Sequence, residues 1–93
     1  MKKVILKLPL SIEADLSRFV ETCIKTQVKL IAIWGAGAAA IEDEIDSYIV
    51  SDGMDPSRFI ITTSHELEDF DEVVRFVASF RGVENETPSI VEL

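Results

Sequence analysis

Leu30-Ile31-Ala32-Ile33-Trp34-Gly35-Ala36-Gly37-Ala38-Ala39-Ala40-Ile41-Glu42-Asp43-Glu44-Ile45-Asp46 is an apolar run that breaks at two glycines and resumes with helical spacing. It reads as a buried strand entering a helix through a tight turn, the unit from which parallel α/β sheets are built. Gly35, Gly37 and Ala40 also match the spacing of a dinucleotide-binding fingerprint. The surroundings argue against that use. Glu42, Asp43 and Glu44 stand in the first turns of the helix, where they complement its dipole and repel a phosphate. No Lys or Arg lies nearby in sequence, and the Lys and Ser/Thr of a P-loop are missing.

Outward from this unit, the chain repeats the same grammar. Val4 to Leu8 are apolar apart from Lys7 and are closed by Pro9, which gives a first strand at about 3–8. Ser11 is a good N-cap, and Ile12, Leu16, Phe19, Val20, Cys23 and Ile24 recur at three and four residues, predicting a helix from about 12 to 26. Val28–Trp34 is the central strand. Ile41, Ile45, Tyr48 and Ile49 form the stripe of a second helix, with Gly53 just past its end and a turn at Asp55-Pro56-Ser57. Arg58 to Thr63 is the third strand. A third helix begins near Asp69, with Glu72 completing a capping pair, and ends before Gly82. Residues 84–88 form a polar loop, and Ser89 to Glu92 form a short edge strand.

The order β-α-β-α-β-α-β over residues 1–93 predicts one small three-layer α/β domain. Its sheet is four-stranded and mostly parallel, with two helices on one face and one on the other. In architecture this resembles the flavodoxin-like, Rossmann-like and receiver-like modules. It lacks the acidic pocket and lysine that receiver-like domains use for phosphotransfer. The apolar residues of the third helix, Phe76 and Phe80 included, sweep about 200°, wider than the roughly 100° that one sheet face requires. Something further must cover Phe76 or Phe80: the carboxy-terminal tail, which is the expected cover, a neighbouring helix, or a second protomer.

Ninety-three residues with 47% hydrophobic content suffice for one modest core. The single cysteine, Cys23, cannot form an intramolecular disulfide and reads as a buried thiol on a helix face. The amino terminus has no secretory pattern, and no apolar segment approaches the roughly 20 residues of a membrane span, so a cytoplasmic protein is expected. The net charge of −8 is unevenly spread. Residues 1–30 carry six Lys/Arg against three acids, whereas residues 31–93 carry three Arg against fourteen acids. That balance disfavours nucleic acid and anionic membranes and suits a basic protein partner.

Ligands of open parallel sheets bind beyond the carboxyl ends of the strands. The expected small-ligand positions are therefore Gly35, Gly37, Ser64 and His65. Thr62-Thr63-Ser64-His65-Glu66 is rich in hydroxyls and holds the only imidazole, but neighbouring Ser and His side chains point apart and no spaced acid completes a triad. Thr63 reads instead as a helix cap paired with Glu66. One Cys and one His cannot make a zinc centre, so neither a metal nor a cofactor is expected. Trp34 reads as core.

The leading expectation is a small acidic interaction module without catalytic activity, of inhibitor or immunity type. It would bind a partner through Glu42, Asp43 and Asp46 and through the Phe76/Phe80 edge. The competing expectation is a small-ligand or nucleotide-binding protein with its pocket between Gly35-Gly37 and Ser64-His65. A structural homodimer is the third.

Overall fold

Alternating apolar runs and amphipathic stretches fold as β1 (Lys2–Lys7), α1 (Leu16–Lys25), β2 (Val28–Trp34), α2 (Ala38–Ile49), β3 (Ile61–His65), α3 (Phe70–Ala78) and β4 (Ser89–Glu92) in a computed structural model. The structure describes residues 2–50, 59–80 and 87–93. Gly53, the Asp55–Ser57 turn, Arg58 and the first part of the 84–88 loop lie outside the described residues.

The four strands are parallel and ordered β3-β2-β1-β4. The domain is the expected three-layer α/β fold. β1 and β2 are central and covered on both faces, which is why their interior runs are apolar at consecutive positions: Ile5, Leu6, Leu30, Ile31, Ala32 and Ile33 are inaccessible to solvent. Strand parity divides the core in two. Val4, Leu6, Ile31 and Ile33 pack with Leu16, Val20 and Cys23 of α1 and Ala38, Ile45 and Ile49 of α2. Ile5, Leu30 and Ala32 pack with Val73 and Val77 of α3 on the opposite face.

The same parity puts Lys3 and Lys7 on the α3 face, and they meet it differently. Lys3 is fully buried, and its Nζ donates to the carbonyls of Val77 at 2.9 Å and Ala78 at 3.2 Å. An ammonium there satisfies the open carbonyls of the last turn of α3 and complements the negative end of its dipole.

Helix α1 starts four residues later than its apolar spacing suggests. Asp15, not Ser11, is the N-cap: its Oδ1 accepts the Arg18 backbone N–H at 3.1 Å and the Ser17 hydroxyl at 3.1 Å. Those bonds, the backbone one foremost, hold the Asp15 carboxyl below the usual carboxylate range. Ile12 is left fully exposed in the preceding turn. Strand β3 also runs later than expected, because pairing with β2 continues to Trp34 and carries Ser64 and His65 into the ladder. The capping pair of α3 is present, with Glu72 Oε1 accepting the Asp69 N–H at 3.1 Å.

Of the expected cover for Phe76 and Phe80, residues 81–86 lie outside the described residues, and Val91 and Leu93 pack on the α1–α2 side. Phe76 lies against the His65 imidazole at 5.0 Å and against Phe80 at 5.8 Å, and Phe80 packs into the α3 core. Among the described residues no helix is long and apolar enough to cross a membrane.

Candidate functional site

Parallel register lines up one residue from each strand at the carboxyl end of the sheet: Glu92 beside Lys7, Lys7 beside Trp34, and Trp34 beside His65. All four share the face that α3 covers. Lys7 Nζ lies 3.6 Å from Glu92 Oε2 and 4.9 Å from the centroid of Phe70, so its charge is met by a carboxylate and a ring face. Trp34 is half-buried, not enclosed; its Nε1 donates to the Glu68 carbonyl at 2.8 Å and its ring meets Phe70 edge-on at 5.1 Å.

The glycine turn sits beside this row. Gly35 has φ +126°, and a Cβ there would stand 3.0 Å from Leu8 Cβ. Its N–H donates to the His65 carbonyl at 3.1 Å, joining the turn to the end of β3. Gly37, at φ +84°, is the N-cap of α2 and supplies no side chain. The missing cap comes from elsewhere, because Glu66 Oε1 accepts the Ala39 N–H at 3.0 Å. A carboxylate from the chain itself thus occupies the place where the helix N-terminus would hold a phosphate.

Ser64 and His65 face opposite sides of the sheet, as their adjacency in a strand requires. His65 is buried, and its ring is held at both nitrogens, with Nε2 2.8 Å from Thr63 Oγ1 and Nδ1 2.7 Å from Glu68 Oε1. Thr63 therefore engages His65 and not Glu66 in the cap expected for it. The carboxylate–imidazole–hydroxyl string ties β3 to the approach of α3. Thr63 and His65 were recoverable from parity, since they stand two apart on one strand face, whereas Glu68 lies beyond the strand.

A second surface lies where α2 covers β3. The Thr62 hydroxyl is 2.6 Å from Asp46 Oδ1 and 3.0 Å from Glu42 Oε2. Beside them an open groove of about 470 Å³ is lined by Ile49, Val50, Phe59 and Ile61 among others. Val50, Phe59 and Ile61 are exposed. Asp43 is exposed on the same helix. The structure thus separates the two halves of the expected partner surface: Glu42, Asp43 and Asp46 belong to the α2 face, and Phe76 and Phe80 to the α3 face. A second groove, of about 450 Å³, follows α1 to the end of β4, between Asp15, Arg18, Phe19 and Leu93. Among the described residues, no group of three or more His, Cys, Asp or Glu side chains could hold a metal ion.

These features define a small parallel α/β domain whose strand-end turn is closed by its own carboxylate and whose acidic helix borders an exposed strand edge. Over residues 6–90 the chain matches the family described as "Domain of unknown function (DUF7684)", and it belongs to that family. No curated protein and no solved structure matches it.

Proposed function

We propose that this protein is a non-catalytic interaction module that receives a basic protein partner on the α2–β3 face. One observation carries the reading: Glu42 and Asp46 converge on the single hydroxyl of Thr62, at 3.0 and 2.6 Å, in a groove that exposed Val50 and Phe59 also line. A hydroxyl has one proton and donates to one carboxylate at a time. The other carboxylate is then served by water or by a cationic side chain brought from outside. Exposed apolar side chains next to paired acids match a partner surface that is itself both basic and apolar. An inhibitor or immunity-type role suits this charge, and the free, buried Cys23 thiol suits the reducing cytoplasm.

The small-ligand alternative has less support. Glu66 would have to leave Ala39 before an anion could reach the α2 N-terminus, and His65 is engaged at both ring nitrogens.

Affinity capture from cell extract tests the proposal, with the triple variant Glu42→Lys/Asp43→Lys/Asp46→Lys as control. The wild-type protein should retain a basic protein that added salt releases and that the variant does not hold. Full retention by the variant would sink the acidic-face reading. In parallel, a thermal-shift screen against nucleotides should give no rise in melting temperature, whereas a rise abolished by Gly37→Glu would favour the ligand pocket.

A further inference from the structure

The two edges of the sheet are built differently. β4 is four residues long, follows Pro88 and ends with Glu92 paired to Lys7. Short length, proline and charge are the devices by which proteins keep an edge strand from pairing with another chain. β3, at five residues only one longer, has neither the proline nor the charge. Its sequence Ile61-Thr62-Thr63-Ser64-His65 is rich in β-branched residues and carries no Lys, Arg, Asp, Glu, Pro or Gly. As the end strand of the order β3-β2-β1-β4, it has no strand on its outer side among the described residues. Phe59 and Ile61, 68% and 38% exposed, extend this edge with apolar surface.

We infer that the basic partner binds by adding an extended strand to the outer edge of β3, with Lys or Arg alternating with β-branched or aromatic residues. This rests on the reading of the α2–β3 face as the partner surface. The alternation follows from the pleat, which sends successive side chains of an added strand to opposite faces. On the α2 face the neighbour of Thr62 reaches Glu42 and Asp46, so a cationic side chain belongs there. On the α3 face its neighbours lie beside exposed Ile61 and beside Thr63, so an apolar side chain belongs there.

Charge selects this occupant over a second copy of the chain. Two copies joined edge to edge would each bring a net charge of −8 and set their own Glu42 and Asp46 beside the shared edge. That juxtaposition is repulsive, whereas a basic strand is attracted.

The test uses three synthetic peptides of equal length: one alternating Lys and Val, one with the same residues in two blocks, and the alternating peptide N-methylated along one backbone edge. Titration calorimetry against the full chain should show binding of the first, and binding about tenfold weaker or worse for the other two. Ile61→Lys, a charge placed on an already exposed position, should weaken the alternating peptide to the same degree while circular dichroism stays unchanged. Equal binding of all three peptides that still falls on Glu42→Gln/Asp46→Asn would overturn strand addition and leave the acidic interaction face standing. Failure of every peptide to bind, with the natural partner still captured by the acidic face, would overturn the inference alone. Light scattering provides the last arm: a dimer that Ile61→Lys dissociates would show that the edge belongs to a second copy.

Discussion

Glu66, in the connection after β3, accepts the backbone N–H of Ala39 in the first turn of α2 at 3.0 Å, so one end of a helix is capped by a side chain 27 residues away in sequence. Gly37 supplies no side-chain cap, and the acceptor comes instead from the connection after the neighbouring strand. The geometry that makes a glycine turn attractive to phosphate is thereby used for stability.

Glu66→Ala should therefore cost about 1 kcal/mol, the usual value of a capping interaction. Urea unfolding monitored by circular dichroism would measure it. Glu66→Gln, which keeps an acceptor oxygen but loses the charge, should recover part of the loss. If inorganic phosphate stabilises Glu66→Ala but not the wild-type protein, the carboxylate is the group that keeps anions out. An unchanged stability in Glu66→Ala would refute the capping role.

The two glycines of the turn should respond unequally to alanine. A Cβ at Gly37 meets nothing within 4 Å, so the substitution bears only the cost of a left-handed backbone, about 1–2 kcal/mol. At Gly35 the backbone lies at φ +126° and the new Cβ stands 3.0 Å from Leu8 Cβ, an atom fixed to the end of β1. Backbone strain and overpacking then add, to roughly 3 kcal/mol or more. Thermal melts of the two single variants give the comparison, and equal losses would show that close approach to Leu8 is not what demands Gly35.

Lys3→Ala should be among the most damaging changes in the chain. It removes two hydrogen bonds from an ammonium to the Val77 and Ala78 carbonyls and empties the volume of a fully buried stem. Charge-assisted bonds and cavity formation together suggest a loss of about 3 kcal/mol or more. Lys3→Met keeps most of the stem and also relieves the burial of a charge, so its cost should be about half as large. Denaturant midpoints at constant m-value separate the two variants; equal losses would mean that packing of the stem contributes nothing.

Element order was legible in the sequence because burial on one or both faces leaves a period that survives without tertiary information. The stripe Ile41, Ile45, Tyr48, Ile49 and the run Leu30 to Ile33 are of this kind. The start of α1 was not legible from the stripe, since Ile12 has the right spacing but Asp15 makes the better cap. Strand order was out of reach because apolar spacing reports that a strand is covered, not which strand lies beside it. The roles of Lys3 and Lys7 depend on that order: in sequence they interrupt an apolar strand, and in the fold they meet the carbonyl end of α3 and the row of Trp34 and Glu92. Of the expected ligand residues, Gly35 and Gly37 do form a turn at the strand ends, but Ser64 and His65 diverge. Glu66 acts through a contact 27 residues away that no short spacing announces, and Glu68 meets His65 three residues away in a connection where neither strand nor helix periodicity applies.

Cys23 gives the domain a pH dependence whose sign can be stated. Burial pushes its thiol up from the ordinary 9.0 to about 11, because the thiolate loses water on the α1 face of the core. Between those two values the unfolded chain has released the proton and the folded chain still holds it. The unfolded state therefore binds fewer protons, and stability falls as pH rises through that window. The wild-type protein should thus lose about 1 kcal/mol more than Cys23→Ala between neutral pH and about pH 10. Comparing the two chains cancels the titration of Tyr48, whose phenol the Glu44 carboxylate also holds above its usual value. Chemical denaturation at a series of pH values supplies the measurement, with iodoacetamide as a second readout: the native thiol should stay unmodified under conditions that alkylate the unfolded chain. Parallel pH profiles for the two proteins, or rapid alkylation of the native one, would show that Cys23 is reached by solvent and that its burial on α1 is wrong.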